Sequence, residues 1–140
     1  MNKKENRISL EFVSDLKFTE FSVLVFSYVR RFLHMEEDEF FKVEISLREV
    51  INNAILHGNK SDKTKRVYVT FKWSKKWLYI NIKDENSEKV DFNAINRQLE
   101  NNDILAFSGR GILIMKSYMD NVKFIPSVGG GTEIVMEKRL

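Results

Sequence analysis

The spacing of apolar residues changes between residues 58 and 67 of this chain, and the change limits the folds that it can adopt. Before residue 58, apolar side chains recur at intervals of three and four, which is typical of amphipathic helices. From residue 67 they recur at every second position, which is typical of strands with one buried face. Helices followed by strands favour an α+β fold over a helical bundle.

Two helices are predicted in the first part of the chain. One covers about 15–34, and the next opens after the acidic run 36–39, which suits a helix N-terminus. Gly58 is a natural stop for this second helix. Its apolar face is formed by Phe40, Val43, Leu47, Val50, Ile51 and Ala54.

The remaining elements are mostly strands. Strands are expected at 8–13, 67–73, 78–82, 122–125 and 132–137, and helices at 92–99 and 111–119. The run Gly129-Gly130-Gly131 is expected to form the turn between the last two strands. This order predicts a two-layer α/β sandwich, with a mainly antiparallel mixed sheet and helices on one face.

The composition excludes several classes of protein. A length of 140 residues fits one domain, expected to span 1–140 with a core at about 8–138. The absence of cysteine excludes disulfides, thiolate metal sites and a cysteine nucleophile. No apolar run at the start resembles a signal peptide, and none reaches the length of a membrane span. We therefore expect a cytoplasmic protein with no membrane partner.

The formal net charge of +3 has one local source, the segment 60–76. It holds seven cations and one anion, Asp62. Such a segment could contact nucleic acid or an acidic partner. The favoured interpretation is a solvated hairpin surface, so nucleic acid is an unlikely partner.

Three polar residues on the second helix share one stripe. Glu49, Asn53 and His57 follow each other at intervals of four, at the edge of the apolar face. An amide oxygen there could bind Mg²⁺, and a carboxylate could orient or deprotonate a nucleophile. A solvated helix flank has the same spacing, so the pattern alone leaves both interpretations open.

Two further features lie in the second half. Asp84 falls on the apolar face of its strand, at the strand's end, where a carboxylate needs a donor such as a ligand amine, a backbone N–H or a lysine. The run Ser108-Gly109-Arg110-Gly111 leads into a helix, where backbone N–H groups can bind phosphate. A helix-entry turn without a ligand would look the same. Gly130-Gly131-Thr132 alone indicates a hairpin.

The combination of these motifs is more specific than any one of them. In chain order they are Glu49-x-x-x-Asn53-Ala54-x-x-His57-Gly58, Asp84, Gly109-Arg110-Gly111 and Gly131-Thr132. This order resembles the GHKL superfamily of histidine-kinase-like ATPases. It is most similar to the small anti-sigma-factor serine/threonine protein kinases of bacterial partner-switching systems.

The resemblance implies a function and a role for each motif. ATP and Mg²⁺ would be the cofactors, and the γ-phosphoryl group would pass to an antagonist protein, while a sigma factor would be sequestered. Glu49 would be the general base, Asn53 would ligate Mg²⁺ in preference to Asn52, and residues 86–108 would form a mobile lid. The nucleotide-binding residues would be Asn53, His57, Asp84, Asn86, Gly109, Arg110, Gly111 and Thr132. Similar proteins often form homodimers.

One departure from the family pattern supports an alternative. Asn86 and Glu88 occupy positions where the family usually has glycine after its adenine-binding Asp. Glu88 would add a negative charge near a polyanion. The first alternative is therefore a nucleotide-binding-impaired partner-switching module without kinase activity. The second alternative, which rests on the charge of segment 60–76, is a small nucleic-acid or protein adaptor that uses this segment.

Overall fold

The structure, a computed structural model, describes residues 5–86, 91–101, 111–127 and 129–140. Its sheet has five strands: β1 (Asn6–Val13), β2 (Arg66–Trp73), β3 (Trp77–Lys83), β4 (Asn121–Pro126) and β5 (Thr132–Arg139). The strand order is β1-β2-β3-β5-β4, and each neighbouring pair is antiparallel. The predicted α+β architecture is confirmed.

Four helices accompany the sheet. They are α1 (Lys17–Val29), α2 (Glu37–Asn53), α3 (Phe92–Glu100) and α4 (Gly111–Tyr118). Asp15 accepts the Lys17 N–H at 3.1 Å, which satisfies one of the free donors at the start of α1. Acidic residues fill the first turn of α2, as the sequence predicts. In the part of the chain that is described, no helix combines the length and the apolarity that crossing a membrane requires.

The core lies between one face of the sheet and the helices. Alternate residues of β2 and β3 are buried against α1, α2 and α4, and Phe26 of α1 stacks on both Phe40 and Phe71 with ring centroids 5.3 and 5.6 Å apart. The opposite sheet face carries polar side chains such as Thr70 and Asn81. One-sided burial of this kind is what a period of two predicts for an antiparallel sheet.

The second helix does not end as an α-helix. After Asn53 it continues as one π-helical turn, Ala54–Gly58, which is wider than an α-helical turn. The predicted stripe therefore runs from the α-helix at Glu49 and Asn53 into the π-helical turn at His57. His57 is exposed. Turns of this type are common at functional sites.

The two sheet edges differ in how they are covered. At the β4 edge, the Asn96 side chain of α3 donates to the Phe124 carbonyl and accepts the Phe124 N–H, both at 2.9 Å. At the other edge, β1 pairs only with β2 among the described strands. Residues 91–101 of the predicted lid thus lie against the sheet through α3. Its stretches 87–90 and 102–108, with Glu88, fall outside the described residues.

Candidate functional site

A small apolar cavity lies where α2 ends over strands β3, β4 and β5. Its volume is about 110 Å³. Its lining residues are Val50, Asn53, Ala54, Ile82, Asp84, Phe124, Thr132 and Ile134. Apolar walls with few polar groups at one end are typical of pockets for small heterocyclic ligands. The cavity joins three of the sequence-predicted site residues, Asn53, Asp84 and Thr132.

Asp84 is the one carboxylate in this cavity. It follows β3 directly and is 8 % exposed, which matches the strand-end position expected from the sequence. Its Oδ1 accepts two backbone N–H groups, from Asn86 at 2.9 Å and from Thr132 at 3.0 Å. Among the described residues, no donor lies at Oδ2. Oδ1 is thus held by the backbone, while Oδ2 lies beside Gly58.

Burial dominates the electrostatics of Asp84. Removal from water raises the pKa of this carboxyl group above its ordinary value, while the two backbone N–H groups and the Lys65 charge lower it in part. A buried carboxylate gains more from a new hydrogen bond than an exposed one. A ligand N–H group at Oδ2 would therefore stabilise the ionised form.

Two glycines allow the backbone to approach Asp84. A Cβ atom at Gly58 would lie 2.3 Å from Asp84 Oδ2, and a Cβ atom at Gly131 would lie 2.0 Å from the Asp84 carbonyl oxygen. Gly131 also has a φ of +98°, which favours glycine. Gly58 does end the helical segment as predicted. Its need for glycine, however, comes from the contact with Asp84, since the positive-φ residues nearby are Lys60 and Ser61.

The structure separates the two asparagines at the end of α2. Asn52 accepts a hydrogen bond of 2.7 Å from the buried Thr19 hydroxyl of α1. Asn53 lines the cavity with Asp84. Glu49 lies one turn earlier on α2, half-buried and outside the cavity lining. The shared stripe predicted for the two residues therefore brings only the amide, and not the carboxylate, into the cavity lining.

The structure also describes four other predicted site residues: Asn86, Thr132, His57 and Gly111. Asn86 contributes its N–H to Asp84 Oδ1, and its φ is not positive, so this chain does not need glycine there. Thr132 contributes its N–H to the same oxygen. His57 is exposed in the π-helical turn and does not line the cavity. Gly111 begins α4, while Gly109 and Arg110 lie outside the described residues.

Larger concave surfaces occur elsewhere. The open face of the sheet carries a groove of about 540 Å³, lined by charged and polar residues of four strands, among them Lys72, Lys83 and Glu133. Its lining carries side chains of both charges. The cavity at Asp84 is smaller, but its carboxylate and amide converge on one apolar space, so we take it as the candidate site.

The basic segment 60–76 does not form one surface. Lys60, Lys63 and Lys65 precede β2, and Lys75 and Lys76 follow it. A strand of eight residues separates its ends by about 25 Å. Lys63 also lies 3.5 Å from Asp15. This arrangement supports the interpretation of solvated loops over a continuous nucleic-acid-binding patch.

The fold is an α/β sandwich with a small apolar cavity at one end of the sheet. Residues 22–138 match the histidine kinase-like ATPase domain. The anti-sigma F factor of Bacillus subtilis is 29 % identical over 138 residues, covering 97 % of this chain and 94 % of that protein. The anti-sigma F factor of Clostridium acetobutylicum is 27 % identical over 139 residues, covering 96 % and 94 %.

The chain belongs to the histidine kinase-like ATPase domain family. The match covers most of the chain, from α1 to β5, so it includes every element that lines the cavity. The resemblance inferred from the motifs is confirmed.

Proposed function

We propose that this protein binds ATP at the Asp84 cavity and is a serine/threonine protein kinase that also sequesters a sigma factor. The observation that carries the proposal is the Asp84 carboxylate, which lines the cavity with one oxygen held by the backbone and the other accepting no hydrogen bond from the described residues. The adenine ring would fill the apolar cavity and donate its amine to Oδ2. Thermal melting with nucleotide tests this binding.

The reaction would transfer the γ-phosphoryl group of ATP to a serine or threonine of an antagonist protein. The hydroxyl oxygen bonds to phosphorus, the bond to the β-phosphate oxygen breaks, and ADP leaves. Glu49 would take the hydroxyl proton, because it is the carboxylate one helical turn from Asn53. Such a reaction depends mainly on positioning and charge neutralisation.

The oxygen ligands present fit Mg²⁺. Asn53 offers an amide oxygen at the cavity, and Glu49 offers a carboxylate one turn away. Magnesium commonly takes one or two protein oxygens, with substrate phosphates and water completing its coordination. In the described residues no cluster of three His, Cys, Asp or Glu could hold a metal alone. We propose Asn53 as the ligand; bound Mg²⁺ would neutralise phosphate charge.

The partners follow from the relatives' name, anti-sigma F factor. We propose that this chain binds a sigma factor and that its antagonist is the phosphate acceptor. The cytoplasmic location expected from the sequence stays a prediction. A module without kinase activity is the second candidate. Asn86 has no positive φ, and the case for this second candidate rests on Glu88, which lies outside the described residues.

We further propose that two copies pair through the uncovered β1 edge. An antiparallel pairing of β1 with its copy, centred on Ser9, sets Arg7 opposite the second copy's Glu11. Beside this edge, α1 and the 3-10 turn that follows it, Arg30–Phe32, expose an apolar stripe in which every side chain is more than half exposed: Phe21, Leu24, Tyr28 and Phe32. An open strand edge and an apolar stripe on the same side suit an isologous dimer.

A charge swap tests this dimer. Arg7→Glu or Glu11→Arg alone places like charges opposite each other twice per dimer, and we expect the dissociation constant to rise about tenfold. The double variant restores both pairs and should dimerise like the wild type. Sedimentation equilibrium measures the association. Wild-type protein that stays monomeric, or single variants that associate normally, would contradict the pairing.

A further inference from the structure

Asn59 is a buried polar residue that the proposed reaction does not use. It is 1 % exposed and follows the π-helical turn, where its N–H donates to the Ala54 carbonyl at 2.8 Å. A buried amide that satisfies all its hydrogen bonds usually fixes the elements around it.

Its side chain joins three strand ends. Nδ2 donates to the Ser14 hydroxyl, just after β1, and to the Arg66 carbonyl at the start of β2, both at 2.9 Å. Oδ1 accepts the Glu85 N–H, just after β3, at 2.8 Å. Together with its own helical end, Asn59 therefore connects four elements through one amide.

The bond to Glu85 matters most for the cavity. The pairing of β3 with β5 ends at Lys83, and the Asp84 N–H still reaches the Thr132 carbonyl at 2.9 Å. Asn59 supplies the acceptor for the next N–H along the chain. Asn59 also follows Gly58, whose Cα lies against Asp84 Oδ2. Asn59 thus holds the backbone that follows Asp84, and it directly follows the glycine that lies beside Asp84 Oδ2.

We propose that Asn59 is a positioning residue for base selection: its bond to Glu85 holds the Asp84 carboxylate in place at the cavity, so that Oδ2 can accept from the 6-amino group of a purine. This proposal rests on the proposed function. It concerns discrimination between a 6-amino and a 6-oxo purine, which a purely structural residue would not alter in folded protein.

The experiment compares the dissociation constants of Mg-ATP and Mg-ITP, since inosine carries an oxygen in place of the amine. Wild-type protein should prefer ATP by about tenfold to a hundredfold, the value of a hydrogen bond to a buried charge. In Asn59→Ala, ATP binding should weaken by about tenfold while ITP binding changes little, so that the preference shrinks. Calorimetry well below each variant's melting temperature excludes unfolding as the cause.

Two further variants separate positioning from general stability. Ser14→Ala removes a hydroxyl from the same buried corner but leaves the Asn59–Glu85 bond, so it should melt earlier and keep the ATP preference. Asn59→Asp keeps an acceptor for the Glu85 N–H and loses both donors. It should also be less stable and keep the preference, which gives a test if Asn59→Ala does not fold.

The outcomes distinguish two kinds of failure. If wild-type protein binds ATP and ITP equally, or neither, the proposed function fails at Asp84. If the wild type prefers ATP and folded Asn59→Ala keeps that preference, the positioning role alone is overturned. Folded Asn59→Asp without the preference would overturn it as well.

Discussion

Replacing Asp84 with asparagine is expected to weaken ATP binding by a hundredfold or more. The backbone N–H groups of Asn86 and Thr132 would hold the amide oxygen at the Oδ1 position. The amide nitrogen would then occupy the Oδ2 position and face the adenine amine, so that two donors meet. The variant loses a charge-assisted hydrogen bond and leaves a donor unpaired. Together these changes weaken the free energy of ATP binding by about 3 kcal/mol, which raises the dissociation constant about a hundredfold.

The control for this variant is its own stability without nucleotide. The Asp84→Asn protein would retain both backbone hydrogen bonds, and it would lack the charge whose burial raises the pKa of Asp84. We therefore expect a melting temperature no lower than that of the wild type at neutral pH. Binding measured by calorimetry within threefold of the wild type would show that Asp84 is not the adenine acceptor.

Replacing Glu49 with alanine should leave ATP binding nearly unchanged and reduce phosphoryl transfer by about 10²- to 10⁴-fold, the usual contribution of a general base. Glu49 lies outside the cavity lining, so its replacement should not change how the cavity binds the adenine ring. Single-turnover transfer of labelled γ-phosphate to the acceptor protein, or to water without it, measures the effect.

Glu44→Ala is a matched control for the Glu49 variant. Glu44 is also a half-buried carboxylate of α2, but it lies near Arg48, with a Glu44–Arg48 distance of 3.9 Å. Its loss should leave both binding and transfer close to wild-type values. Full transfer activity in Glu49→Ala would refute the role of Glu49 as base, whatever the binding result.

The sequence predicted the elements of this fold well because their apolar periods are long and clear. The alternation along β2 and β3, the acidic start of α2 and the strand-end position of Asp84 all appear in the structure. These features depend on local spacing and on one buried face, which a single sequence contains. The order of the motifs along the chain then indicated the family.

The parts that the sequence did not predict depend on contacts between distant segments. A five-residue π-helical turn has no periodic signal of its own, so the stripe was extended to His57. Gly58 was interpreted as a helix stop, whereas its lack of a Cβ admits Asp84, 26 positions later. Asn59 was not identified at all. An asparagine after a helix-ending glycine normally indicates a cap, and its Glu85 partner is visible only in three dimensions.

Asn52 and Asn53 are adjacent in sequence but differ in position, while the role of Asn53 as a magnesium ligand stays a prediction. Helical spacing from Glu49 favoured Asn53, and the structure puts Asn53 at the cavity while Asn52 binds Thr19 of α1. The basic segment is different, because its sequence pattern alone allows two interpretations. Its cations are neighbours in sequence, but β2 carries them to opposite ends of the sheet.

The most direct measurement is the melting temperature of wild-type protein with and without millimolar Mg-ATP and Mg-ADP. A ligand present at about a hundred times its dissociation constant stabilises the folded state by about 2.7 kcal/mol, which raises the melting temperature by several degrees. We predict such a rise with both nucleotides, and its loss in Asp84→Asn. An unchanged melting temperature with both nucleotides would contradict ATP binding at this site.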